Sequence, residues 1–166
     1  MNGSEMWRSY LLAFSELTNI RLVMHAHGED VLDSIRVSLL RGGTECSAAL
    51  AYVPSLGVEQ QMEILPQLTS VALVVGGSTT EARQLIVSLP NDRVREFMLK
   101  VQPEVIQRSD YEEYACLLEL WMALGGESQA RQLAEMAAAE DREDIRDVGA
   151  LYICKLEQMQ AGDFAP

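Results

Sequence analysis

The chain is poor in cysteine, histidine and aromatic residues, and its basic side chains are few: 13 Lys and Arg against 25 Asp and Glu in 166 residues. Cys46, Cys116 and Cys154 are an odd number with no paired short spacing. That pattern excludes the even disulfide framework of a small secreted domain and points to a reducing, cytoplasmic setting. The start, Met-Asn-Gly-Ser-Glu, is polar, with Glu5 where a signal peptide would carry basic charge, so no secretory leader is expected. Apolar runs are short, Val71 to Val75 among them, against the roughly 20 residues that a helix needs to span a bilayer. No long Ser-, Gly- or Pro-rich linker divides the sequence, so residues 1–166 read as one domain.

The scarcity of positive charge narrows the partners. A net charge of −12 disfavours nucleic acid, whose phosphates need clustered Lys and Arg, and anionic membrane surfaces equally. Residues 104–147 hold 12 acidic and 4 basic side chains, a net of −8, whereas residues 1–103 hold 11 and 8, a net of −3. The acidic stretch fits either a solvated helix surface or a docking face for a basic partner.

What the chain does have is helical periodicity. Apolar residues recur at i, i+3, i+4 and i+7 in successive stripes. Trp7, Tyr10, Leu11, Phe14 and Leu17 make the first; Val31, Leu32, Ile35 and Leu39 the second; Val58, Met62, Leu65, Leu68, Ala72 and Val75 the third. Further stripes follow at 82–89, 94–105, 111–122 and 145–159. Ser78-Thr79-Thr80-Glu81 and Ser109-Asp110-Tyr111-Glu112 fit capping boxes. Gly42-Gly43, Gly76-Gly77 and Gly125-Gly126 stand where left-handed C-caps would close the preceding helices. Pro66 and Pro103 fall inside periodic segments and predict a kink or a break. The reading is all-α, with about nine helices stacked as antiparallel hairpins. The alternative is an α/β fold with strands near 19–25, 46–53 and 70–75, where β-branched and apolar residues gather.

Internal repetition is the most informative feature. Ala-Arg-Gln-Leu occurs at 82–85 and again at 130–133. The Gly-Gly pairs begin at 42, 76 and 125, and Pro66 and Pro103 are 37 residues apart. Periods in the thirties and forties mark stacked helical hairpins. Leu56-Gly57-Val58-Glu59, followed by Glu63-Ile64-Leu65-Pro66-Gln67-Leu68, resembles the first helix of a HEAT repeat with its Leu-Pro-x-Leu, and residues 79–89 would be its second helix. The resemblance covers residues 28–125 in pattern and 56–90 most closely. Residues 117–152 look more like a tetratricopeptide hairpin, and in size and acidity the chain is similar to small tetratricopeptide chaperones of bacterial type III secretion. These resemblances imply an α-solenoid that binds another protein.

Catalytic chemistry has little to stand on. His25-Ala26-His27, followed by Glu29 and Asp30, could hold a metal only from a strand, since i and i+2 lie about 200° apart on a helix. A small α/β metal enzyme using His25 and His27 is the alternative function. Val71 to Thr80 resembles a strand running into a Gly-rich turn, but the Lys of a phosphate loop is missing. The carboxylates Glu140, Asp141, Glu143, Asp144 and Asp147 lack the spacing of a calcium loop. No G-x-S-x-G is present. No catalytic residue, metal ligand or cofactor is therefore expected. Eleven of the 13 basic residues are Arg, a residue suited to interface work. The expected function is an adaptor, scaffold or chaperone whose groove takes a basic or amphipathic segment of a partner protein, with homo-oligomerisation left open. Tyr52, Arg93, Arg95, Tyr111 and Tyr114 are the candidate partner-binding residues, as aromatic and Arg anchors.

Overall fold

The apolar stripes become helices because their spacing lines one face of each with Leu, Ile, Val and Ala. The computed structural model describes residues 2–108 and 110–161, with the side chains of His25 and Ala161 outside that description. Among these residues there are ten α-helices and no strand. They are α1 (Gly3–Ala26), α2 (Gly28–Arg41), α3 (Gly43–Tyr52), α4 (Val58–Glu63), α5 (Leu65–Ala72), α6 (Thr79–Ser88), α7 (Asn91–Arg108), α8 (Tyr111–Ala123), α9 (Glu127–Ala138) and α10 (Glu143–Ala161). A 3₁₀ turn, Val53–Ser55, follows α3.

The α/β alternative is overturned. Residues 19–25 lie inside α1, residues 46–53 run from α3 into the 3₁₀ turn, and residues 70–75 span the end of α5 and the turn beyond it. β-Branched content is a weak preference that packing overrides, and here the helical register buries Ala49, Leu50 and Ala72.

Pro66 divides the third stripe. It occupies the second position of α5, where its missing N–H costs nothing, and the chain breaks before it at Ile64. Pro103 instead lies inside a continuous α7, where it removes one rung of the helical ladder.

Capping differs in detail from expectation. Ser78 precedes α6 without a side-chain cap bond, and the Thr79 hydroxyl donates to the Val74 carbonyl instead. Ser109 lies outside the described residues; the cap of α8 is Asp110, whose carboxylate accepts from the Glu113 N–H at 2.9 Å. Gly125 has a φ of +65°, and the end of α8 is a Schellman motif. The Gly126 N–H bonds Trp121 O at 2.8 Å and the Gly125 N–H bonds Met122 O at 2.9 Å. Gly42 and Gly43 also have positive φ, whereas Gly76 and Gly77 do not.

One apolar core runs from Leu32 on α2 to Leu156 on α10. Helix α2 packs on α3 and α5, α5 on α6, α6 on α7 and α8, and α8 on α9 and α10. Polar contacts between these layers range in sequence separation from 19 residues, for Trp121–Gln102 and Tyr114–Leu133, through 27 for Arg36–Glu63 and 29 for Arg95–Leu124 and Arg131–Gln160, to a longer set. Glu59–Arg93 spans 34 residues, Asn91–Leu124 33, Arg83–Glu119 36 and Glu119–Tyr152 33. The repeated Ala-Arg-Gln-Leu keeps one register: Ala82 and Ala130 are each the fourth residue of their helix, and both are fully buried.

The first stripe behaves unlike the others. Trp7, Tyr10, Leu11, Phe14 and Leu17 belong to α1 and are exposed, as is every residue from Asn2 to Ile20. Helix α1 meets the rest of the chain near its C-terminal end, where Met24 packs against the core and Arg21 Nη2 donates to Ala51 O at 3.3 Å.

Candidate functional site

The five residues expected to anchor a partner do not form one surface. Tyr52 and Tyr114 are buried in the core, a correction to their reading as surface anchors. Tyr114 lines up with Leu118 and Trp121 on the inner face of α8, and its hydroxyl donates to Leu133 O on α9 at 3.1 Å. Arg93 is held by Glu59 on α4 in a two-pronged pair of 2.8 and 2.9 Å. The pair holds the Glu59 carboxyl below its usual range through the hydrogen bond first and the charge second. Arg95, two residues on, points the other way and donates to Leu124 O at the C-terminal end of α8. Tyr111 stays exposed at the opposite end of α8, about 20 Å from Leu124 at 1.5 Å per residue. It borders a shallow patch with Asp144, Asp147, Val148 and Leu151.

A better-formed surface lies where the first two Gly-Gly turns come together. Gly42 and Gly43 at the end of α2 face Gly76, Gly77 and Ser78 after α5 across a cleft of about 340 Å³. Leu39, Leu40, Cys46, Val71 and Val74 supply its apolar walls. A Cβ at any of the four glycines would meet nothing within 4 Å, so the rim is open backbone. Leu40 and Val74 line the opening as exposed apolar side chains. Two of the three lining hydroxyls are bonded within the chain: Ser70 donates to Pro66 O at 3.1 Å, and Thr79 to Val74 O. The lining carries no charged side chain, so it offers apolar contact area and backbone amides. The signal in the sequence was the 34-residue interval between the two Gly-Gly pairs.

A polar network ties the layers together at the half-exposed Glu119. Arg83 on α6 is ion-paired with Glu119 on α8 and donates from Nε to Ala72 O at 3.2 Å. The Tyr152 hydroxyl on α10 donates to the other Glu119 oxygen at 2.9 Å. Cys116 lies beside this network; burial pushes its thiol pKa up, and the nearby Arg83 charge opposes that only in part. A thiol held protonated is a poor nucleophile, and both Glu119 oxygens are engaged. The network joins three helices and presents no free acid or base.

His27 links α1 to α2, and His25 lies in the last turn of α1 with its side chain outside the described residues. The strand that a shared metal would need there is replaced by helix. Among the described residues no group of three or more His, Cys, Asp or Glu is placed to hold a metal ion. No described helix is long and apolar enough to cross a membrane. No family model, curated protein or solved structure matches the chain.

Proposed function

We propose that the chain is a non-enzymatic helical-repeat module, an adaptor or scaffold, that takes an apolar segment of a partner protein into the cleft between its Gly-rich turns. The observation that carries this reading is the cleft itself: apolar walls, an open glycine rim and exposed Leu40 and Val74 on its lining. Pockets of a few hundred Å³ with apolar walls suit one or two anchoring side chains. The repeated Ala-Arg-Gln-Leu, buried in the same register on α6 and α9, supports a solenoid of stacked hairpins, the architecture implied by the HEAT and tetratricopeptide resemblances. A net charge of −12 favours partner segments with Lys or Arg flanking the anchor. An acidic chaperone of the tetratricopeptide type is one form of this function. Three free cysteines suit a reducing, cytoplasmic setting.

Selection of peptides from a displayed random library tests the reading. The expected result is enrichment of sequences with a large apolar residue flanked by Lys or Arg. Binding of those peptides should fall at least tenfold in Leu40→Lys or Val74→Lys, both exposed positions that leave the core alone. No enrichment, or binding indifferent to both variants, overturns it.

A further inference from the structure

We propose that α1 is a self-association arm, and that it pairs antiparallel with α1 of a second copy of this chain. This inference rests on α1 and is independent of the cleft. Eighteen helical residues, Gly3 to Ile20, project with every side chain exposed, about 27 Å of helix at 1.5 Å per residue. A helix this rich in apolar side chains has its natural place against other helices.

The spacing of those side chains specifies what kind of neighbour fits. Trp7, Tyr10, Phe14 and Leu17 alternate by three and four residues, the seam of a two-helix coiled coil, with Arg21 at its end. Met6, Leu11, Ala13 and Ile20 flank the seam and widen it with apolar surface. The aromatic part is already aligned, with Trp7 and Tyr10 rings stacked at 5.3 Å and Tyr10 and Phe14 at 6.2 Å. Seam and flanks carry a single charge, Arg21, which is engaged with Ala51 O. A partner selected by charge therefore has nothing to read on this face.

A copy of the same seam is complementary to it. Antiparallel pairing centred on Leu12 sets Trp7 against Leu17 and Tyr10 against Phe14, each large ring against the neighbouring layer. It sets Arg21 against Gly3, whose lack of a side chain leaves room. Helix α1 itself is neutral, with Glu5 and Glu16 balanced by Arg8 and Arg21, so the pairing brings no net charge together. The rest of the chain carries the whole −12, and that selects the direction. Parallel pairing would set two acidic bodies side by side. Antiparallel pairing holds them at opposite ends, about 36 Å apart at Met24, several times the roughly 8 Å screening length at physiological salt.

The area is sufficient. The three aromatic rings, 56–59 % exposed, offer roughly 300 Å² at 150–250 Å² per full side chain. Met6, Leu11, Leu17 and Ile20 add roughly 200 Å². Two copies thus bury about 1,000 Å², the area a specific interface must clear. A lipid surface is disfavoured by the charge of the body and by Leu12, Leu22 and Val23, exposed on the side where an interfacial helix would be polar.

Sedimentation velocity of the full chain over a range of concentrations tests the inference. The expected species is twice 18.4 kDa at tens of micromolar, dissociating on dilution. Trp7→Gln/Tyr10→Gln/Phe14→Gln should be monomeric throughout with unchanged helical circular dichroism. Leu12→Gln, more exposed than any seam residue at 74 % but outside the seam, should still dimerise. A monomeric wild type, a dimeric triple variant, or a Leu12→Gln monomer would each overturn the seam. So would a monomer that binds neutral phosphatidylcholine vesicles through α1. A spin label at Ser4→Cys in a Cys154→Ser background reads direction: about 24 Å between labels for antiparallel pairing at 1.5 Å per residue, and about 10 Å, the separation of packed helices, for the parallel arrangement that would overturn it.

Discussion

Gly149 on α10 and Ala138 on α9 meet backbone to backbone. A Cβ on Gly149 would lie 2.3 Å from the Ala138 nitrogen, and 2.6 Å from Ala134 O. Buried Ala130, Ala134 and Ala137 complete the small-residue face that lets the two helices approach so closely. On propensity alone Gly149→Ala would stabilise α10 by about 1 kcal/mol. Here the obstacle is helix backbone, which cannot rotate away, and overpacking costs roughly 1–3 kcal/mol at sites that can adjust. The expected result in urea unfolding is a net loss of about 2 kcal/mol or more. A more stable variant would mean that α9 and α10 sit farther apart than described here.

Tyr114 makes stability depend on alkaline pH. Its ring is 2 % exposed, and burial, with a smaller contribution from the Glu140 charge, pushes its pKa up to about 12. Tyr152 is raised in the same way, by burial first and then by its bond to Glu119. An unfolded tyrosine ionises near pH 10, so the folded state binds the proton more tightly. The stabilisation is complete below about pH 10 and is lost as the pH rises through about 12. The difference at Tyr114 is worth roughly 3 kcal/mol. Urea midpoints should therefore hold steady from pH 7 to 9 and fall steeply above about 10. Tyr114→Phe should lose about 1 kcal/mol at neutral pH with its bond to Leu133, and then decline less steeply in alkali. An unchanged alkaline slope in that variant would assign the loss to other groups.

Glu119 couples three helices, and the coupling is measurable. Tyr152→Phe should cost about 1 kcal/mol in the wild type by removing one hydrogen bond to the carboxylate. In a Glu119→Ala background the same change should cost much less, because the hydroxyl has already lost its acceptor. Unfolding free energies of the four proteins in this cycle give the interaction directly. A Tyr152→Phe cost that is the same in both backgrounds would show that the 2.9 Å bond contributes nothing to folding.

Much of this fold was legible from spacing. The stripes Leu32, Ile35, Leu39 and Leu118, Trp121 are buried as read, Pro66 breaks its segment, and Gly125 closes α8. The site was less so, for physical reasons. Helical periodicity reports that a face is apolar, not whether its cover comes from the same chain, and Trp7, Tyr10 and Phe14 read the same either way. Tyr111 and Tyr114 differ by three residues and by one edge of the buried face, which only the position of α9 decides. Arg93 and Arg95 are a case where the spacing already held the answer. Two residues apart on a helix they point about 200° from each other, so they could not share a surface. The cleft arises from turns 34 residues apart, and that distance becomes proximity only once α2 packs on α5.

The cysteines give an independent check on the cleft. Cys154 is exposed on α10, whereas Cys116 is buried with its thiol held protonated, and Cys46 is part of the cleft wall at 2 % exposure. Thiolate fraction and access together set the rate of alkylation. In native buffer a maleimide should add once, at Cys154, and Cys154→Ser should leave the folded protein unmodified over the same time. In denaturing urea the wild type should take up three. Slow native labelling of Cys46 would report opening of the cleft, and it should slow further when the cleft is filled by a bound peptide while labelling of Cys116 stays the same. If Cys46 instead reacts as fast as Cys154, its thiol is open to solvent and the cleft wall does not close around it.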